Sequence, residues 1–110
     1  MKTSEIKFTI KLDENKLPLS IDWESTDENE KSQCKSVMIS LWDLKDQNTL
    51  RIDLWTKEML VDEMKQFFHQ SLLSMADTFQ RATGEEKMAG DMKDFSAYFA
   101  EKMQLIEKKE

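Results

Sequence analysis

One cysteine, one histidine, one proline and two glycines are all that the 110 residues contain of these types. Cys34 cannot close an internal disulfide, and one Cys with one His falls far short of a structural zinc set. Gly84 and Gly90 cannot build a glycine-rich phosphate loop, which excludes the dinucleotide-binding and P-loop fingerprints. No apolar run nears the roughly 18 residues of a membrane span. Met1 to Ile10 alternates charged with apolar residues, where a secretory leader would show a basic stretch and then an apolar one. A cytoplasmic protein without direct membrane insertion is expected. Basic residues are concentrated nowhere: up to Thr56 there are 8 against 11 acidic residues, and beyond it again 8 against 11, for a net charge of −6. Binding nucleic acid requires clustered cations that displace phosphate counterions, so that class is set aside. Attraction to anionic lipid is disfavoured by the same sign argument.

Against these absences stand 39% hydrophobic residues, with three Trp, six Phe and eight Met. That is enough apolar material for one folded domain spanning residues 1–110. From Glu5 to Glu24 apolar residues recur every second position: Ile6, Phe8, Ile10 and Leu12, then Leu17, Leu19, Ile21 and Trp23. This predicts a hairpin with one buried face, turning at Asp13 to Lys16. Pairing Leu12 with Leu17 sets Ile10 against Leu19, Phe8 against Ile21 and Lys7 against Asp22. Pro18, without an N–H, fits an edge strand better than a central one. Residues 25–35 are polar throughout and read as an acidic loop whose spacing matches no calcium site. Ser36–Asp43 and Thr49–Trp55 alternate again and predict a second hairpin, although the first of these could also form two turns of buried helix. Strict alternation sets Trp42 and Trp55 on the face opposite Leu41 and Leu54.

After Thr56 the period becomes 3.6. Val61, Met64, Phe67, Phe68, Ser71, Met75, Phe79 and Ala82 form one stripe, with Leu72 and Leu73 beyond it, and no Pro or Gly interrupts a helix over about 60–83. Gly84 ends it. Thr83 with Glu86 has the spacing of a capping box for a second helix over about 85–107. Its stripe is Met88, Met92, Phe95, Phe99, Met103 and Ile106, with Tyr98 beside it. The eight Met could serve an adaptable binding surface, but five lie on the two stripes and read as core. The expected fold is α+β: an antiparallel sheet of two hairpins, about four strands, followed by two C-terminal helices packed on one face. Phe8, Ile10, Leu19, Ile21, Ile39 and Ile52 are expected to share a core with Phe67, Phe68, Phe95 and Phe99.

No enzyme is expected. His69 falls on the polar side of the first helix, near Asp62, Gln66 and Leu73, without a nucleophile beside it. Cys34 sits among carboxylates that raise a thiol's pKa. No catalytic, metal-binding or cofactor-binding residues are assigned, and no cofactor is expected.

The run Leu50-Arg51-Ile52-Asp53-Leu54-Trp55-Thr56-Lys57-Glu58-Met59 is followed by Val61-Asp62-Glu63-Met64-Lys65-Gln66-Phe67-Phe68-His69-Gln70 and by Met75-Ala76-Asp77-Thr78-Phe79-Gln80-Arg81-Ala82-Thr83. These strings resemble the gliding-motility-associated GldC family of Bacteroidota. Ser4-Glu5-Ile6-Lys7, Leu12-Asp13-Glu14-Asn15, Met92-Lys93-Asp94-Phe95 and Tyr98-Phe99-Ala100-Glu101-Lys102 match it too, so nearly the whole chain is covered. Leu60 departs from the Pro expected there in many members. The resemblance implies a small non-enzymatic accessory or adaptor protein of the gliding machinery and the type IX secretion interwoven with it. Its partners would be proteins of that machinery, with a homodimer as a further arrangement. Trp55, Lys57, Asp62, Gln66, His69 and Leu73 are the candidate partner-binding residues. The competing readings are a cytoplasmic chaperone or dimeric scaffold for another client, and a small-ligand-binding domain that would need a polar group inside an apolar pocket.

Overall fold

The computed structural model describes residues 1–27 and 29–105. Five strands are followed by two helices, an α+β arrangement: β1 (Ile6–Leu12), β2 (Pro18–Ser25), β3 (Glu30–Cys34), β4 (Ser36–Trp42), β5 (Thr49–Trp55), α1 (Val61–Thr83) and α2 (Glu86–Lys102). The chain resolves into two compact units, the strands up to Met59 and the helices from Leu60.

The strands form two antiparallel sheets, one ordered β1-β2-β3 and the other β4-β5. The third strand lies within what reads in sequence as an acidic loop. Glu30–Cys34 has no apolar face for periodicity to reveal. It is held to β2 by the backbone ladder and by polar pairs, with Lys31 Nζ 3.6 Å from Glu24 and the Gln33 amide donating to Asp22 at 3.1 Å. β2 is therefore the central strand of its sheet. Pro18 is tolerated there because it is the first residue of β2 and lies outside the stretch paired with β3.

The β1–β2 register is shifted by two residues from the expected one. Ile10 faces Ile21, Phe8 faces Trp23, and Lys7 faces Glu24 at 3.8 Å instead of Asp22. Turn chemistry is the cause. Asp13 accepts backbone bonds from Asn15 at 2.8 Å and Leu17 at 3.0 Å, so the turn runs through residue 17. Lys16 takes a left-handed φ of 63°, and the ladder is irregular between Lys11 and Leu12. A shift of two leaves every side chain on its original face, whereas a shift of one would have exchanged the faces.

β4 and β5 pair as the alternation requires, Val37 with Leu54, Ile39 with Ile52 and Leu41 with Leu50, and the strand reading of 36–43 is the right one. Only Lys35 separates β3 from β4, and its carbonyl accepts the Thr56 N–H at 2.8 Å.

In the helical unit, α1 begins after Leu60, whose extended φ of −76° and ψ of 153° starts the helix without a proline. The Glu63 carboxylate accepts the Leu60 N–H at 3.0 Å, and Asp62 and Glu63 stand at the positive end of the helix dipole. Gly84 closes α1 in the left-handed region, φ 76°, its N–H on the Gln80 carbonyl. The expected capping box does not form. The Thr83 hydroxyl donates to the Phe79 carbonyl at 2.7 Å and accepts the Glu85 N–H at 3.1 Å, leaving Glu85 as the residue before α2. α2 stops at Lys102, short of 107: Gln104 turns left-handed at φ 58°, and the Leu105 N–H reaches the Ala100 carbonyl at 2.8 Å. Ile106 and the rest of the expected helix lie outside the described residues.

Burial is sparse. Ile21 is the one large apolar side chain among the described residues that is fully enclosed, and Ala76, Ala89, Ser96 and Ala100 are the buried positions of the helices. Ile10 is half-buried, but Leu19 is 53% exposed, Phe68 43%, and Ile52 and Phe95 are about half exposed. α1 and α2 are in contact, and small residues at their buried positions allow two helix backbones to approach closely.

Candidate functional site

Asp13 organises one corner of the strand unit. One oxygen of its carboxylate accepts the Asn15 and Leu17 N–H groups, and the other meets the Lys57 ammonium at 2.8 Å. The side chain is only 16% exposed. The Lys57 contact, followed by the Leu17 N–H, holds the Asp13 carboxyl below its ordinary 3.8, with slight burial pulling the other way. This pair ties the β1–β2 turn to the residues just after β5.

Between them lies a depression of about 390 Å³. Leu17 and Pro18 form one wall, Leu54 and Trp55 the other, with Lys16 and Lys57 contributing ammonium groups. Trp55 is 57% exposed, as expected for a residue on the side of its strand opposite Leu54. Thr56, at 4% exposure, lines the same depression, and its hydroxyl is enclosed without a hydrogen-bond partner. Its backbone is fully used: the N–H bonds to Lys35 and the carbonyl accepts the Met59 N–H at 3.1 Å. Thr56 thus anchors the end of β5 and does not cap α1.

A second depression, about 350 Å³, lies over the polar face of β1-β2-β3. There the polar groups are mutually paired, Lys7 and Lys31 with Glu24 and Asp22 with Gln33. Arg51 is likewise engaged, gripping Asp53 through two bonds at 2.9 and 3.2 Å and the Ser40 hydroxyl at 2.8 Å. Both depressions are lined by a tryptophan, and they differ in that Trp23 is half-buried whereas Trp55 is exposed.

The sequence-predicted site residues separate between the two units. Trp55 and Lys57 belong to the depression. Asp62, Gln66, His69 and Leu73 share one side of α1, at helical spacings of four, three and four. His69 is half-buried and stands two turns before the buried Ala76 on the same side of α1. Asp62 and Gln66 are exposed near the start of α1, which is 23 residues long against 17 for α2. Asp13, Lys16, Leu17 and Pro18 were missed as site residues. The one signal for them was the string Leu12-Asp13-Glu14-Asn15, which shares the family resemblance.

Cys34 is the last residue of β3, half-buried opposite Ile21, and burial first and the Asp22 carboxylate second push its thiol upward. Among the described residues no group of three or more His, Cys, Asp or Glu could hold a metal ion, and no helix is long and apolar enough to cross a membrane.

The Asp13–Lys57 pair has a measurable consequence. A carboxyl whose pKa is lowered by folding contributes stability that is complete above its unfolded pKa and is lost as pH falls through the folded value. Asp13→Asn should therefore lower the denaturation midpoint near neutral pH and flatten the loss of stability below about pH 4. Urea titrations across that range check it, and an unchanged acid slope would mean that the pair contributes nothing to folding.

Strand hairpins with a sealed turn, an exposed tryptophan beside it and a C-terminal helical hairpin define a small α+β protein with an aromatic surface site. The chain belongs to the gliding motility-associated protein GldC-like family, which it matches over residues 18–105. It is thereby associated with gliding motility. No significant match was found among curated proteins or among solved structures.

Proposed function

We propose that the chain is a non-enzymatic accessory protein of the gliding machinery and its associated type IX secretion, acting on the cytoplasmic side and presenting the Trp55 depression to a protein partner. The carrying observation is that Trp55 stands exposed on a rim fixed by the Asp13–Lys57 pair. Aromatic residues ringed by polar groups are the usual energetic centres of interfaces. The Asp13 hydrogen bonds and the Lys57 ion pair pin the rim, which reduces the entropy lost in forming the contact. A non-catalytic role is supported by Cys34, whose raised pKa suppresses the thiolate, and by a half-buried His69 on a helix side that brings no nucleophile with it.

Trp55→Ala should weaken capture of the partner about tenfold, equivalent to roughly 1.4 kcal/mol, while circular dichroism stays unchanged. The measurement is affinity isolation of the tagged protein from its own cells, wild type beside variant, with mass spectrometry of what co-purifies. Motility or secretion proteins recovered with wild type and depleted with Trp55→Ala support the reading. A folded variant that recovers them equally well removes Trp55 from the interface.

A further inference from the structure

Every residue lining the Trp55 depression belongs to the strand unit, so its walls are those of one folded body. Most of their charge is paired internally. The Asp53 carboxylate is gripped by Arg51 at 2.9 and 3.2 Å, and the Lys57 ammonium rests on Asp13 at 2.8 Å. Lys16 is the exception, with no ion pair for its ammonium among the described residues. Its backbone is nevertheless fixed: the N–H bonds to the Asp13 carbonyl at 3.0 Å, and the φ of 63° is one that Gly or Asn adopts at lower cost. The turn thus holds a lysine where backbone preference alone would not select one. Thr56, in the same wall, has the one enclosed side-chain oxygen or nitrogen among the described residues that lacks a hydrogen-bond partner. An enclosed hydroxyl left unbonded is unfavourable, and it marks a wall that is incomplete as it stands.

Resting on the reading that this depression meets a protein partner, we propose that the partner enters it with a carboxylate beside an apolar side chain, an Asp or Glu next to an aromatic or aliphatic residue in one short segment. The apolar side chain packs between the Leu17–Pro18 wall and the Trp55 indole, and the carboxylate takes Lys16 and Thr56 and shares Lys57 with Asp13. The groups left for a ligand, two ammonium groups and a hydroxyl, can all donate hydrogen bonds, which selects an acceptor and rejects a Lys or Arg side chain. One free ammonium and one shared one match a single negative charge. A phosphate, with nearly two, is recognised by an Arg cluster or a helix N-terminus, and neither is among the lining residues. Glu14 and Glu58 are close by in sequence but do not line the depression, and they offset the two lysines at a distance. The carboxylate is therefore held by contact and is not drawn in by a long-range field. A volume of about 390 Å³ is at the small end of the roughly 300 to 1,000 Å³ of ligand pockets, so it seats a side chain or two and no larger surface.

Two capped dipeptides, acetyl-Phe-Asp-amide and acetyl-Phe-Asn-amide, test this by NMR titration of the isotope-labelled full chain, with the Trp55 indole resonance assigned through Trp55→Phe. The Asp peptide should shift the Trp55 indole N–H with a Kd of about 1 mM, and the Asn peptide should bind at least about fivefold more weakly. Lys16→Gln should abolish the difference. Gln47 takes the same left-handed conformation, so the turn tolerates that substitution. Thr56→Val, of equal shape without the hydroxyl, should reduce the difference while raising the denaturation midpoint. Equal binding of the two peptides overturns the proposal, as does a difference that persists in both variants or the absence of any shift up to about 10 mM. If the peptides bind equally while Trp55→Ala still loses the motility or secretion proteins, the partner reading stands and the carboxylate is refuted.

Discussion

Ile21→Ala should destabilise the protein by about 2 to 5 kcal/mol, a large share of the roughly 5 to 15 kcal/mol that holds an ordinary small protein folded. Ile21 is wholly enclosed, in the central strand, with Ile10 across the ladder on one side and Cys34 on the other. Truncation removes buried methyl groups and leaves a cavity that two hydrogen-bonded neighbours hold open, so little of the loss is recovered by collapse. Leu19→Ala is the control, since Leu19 lies on the same strand and face but is 53% exposed. It should cost less than about 1 kcal/mol. Denaturant titration of the two variants decides the matter: equal losses would mean that Ile21 is not the anchor of its sheet.

The second large effect is expected from enlarging a small residue. Ala76→Leu should cost about 1 to 3 kcal/mol or more, because the added carbons have no space in a seam closed by Ala89, Ser96 and Ala100 and must force the helices apart. Thermal unfolding followed at a helical wavelength checks it. Ala97→Leu, on the exposed side of α2, should be nearly neutral and separates strain in the seam from any effect of helix propensity. A neutral Ala76→Leu would show that α1 and α2 are not closely packed.

The elements whose side chains alternate or repeat cleanly were legible in sequence. Val37, Ile39 and Leu41 and, after the turn, Leu50, Ile52 and Leu54 specify the two strands. The α1 stripe and Gly84 specify a helix to within one residue. β3 was not legible because Glu-Lys-Ser-Gln-Cys is polar on both faces and is a strand only through its partner. The β1–β2 register was missed because an aspartate carboxylate, more than apolar pairing, decides where that turn ends. Enclosure was misjudged most. Periodicity says which residues share a face, but whether anything covers that face is a property of the whole assembly. For the candidate site, the exposure of Trp55 follows from alternation. Its neighbours Leu17 and Pro18 come from a distant turn that the bend at Lys35 brings close, which no local pattern encodes.

The Asp13–Lys57 pair also says something about the order in which the chain acquires its structure. The pairings β1–β2, β2–β3, β4–β5 and α1–α2 all join neighbours in sequence, so each can close a short loop quickly. Asp13 and Lys57 are 44 positions apart (57 less 13), and their contact must await both hairpins and the bend at Lys35. A contact formed after the rate-limiting step predicts that Lys57→Ala speeds unfolding and leaves the refolding rate unchanged, which stopped-flow denaturant jumps check. Contacts of that kind govern how slowly a protein comes apart more than how fast it assembles. On that outcome the turn that shapes the tryptophan site is a latch on the strand unit, setting its lifetime once folded.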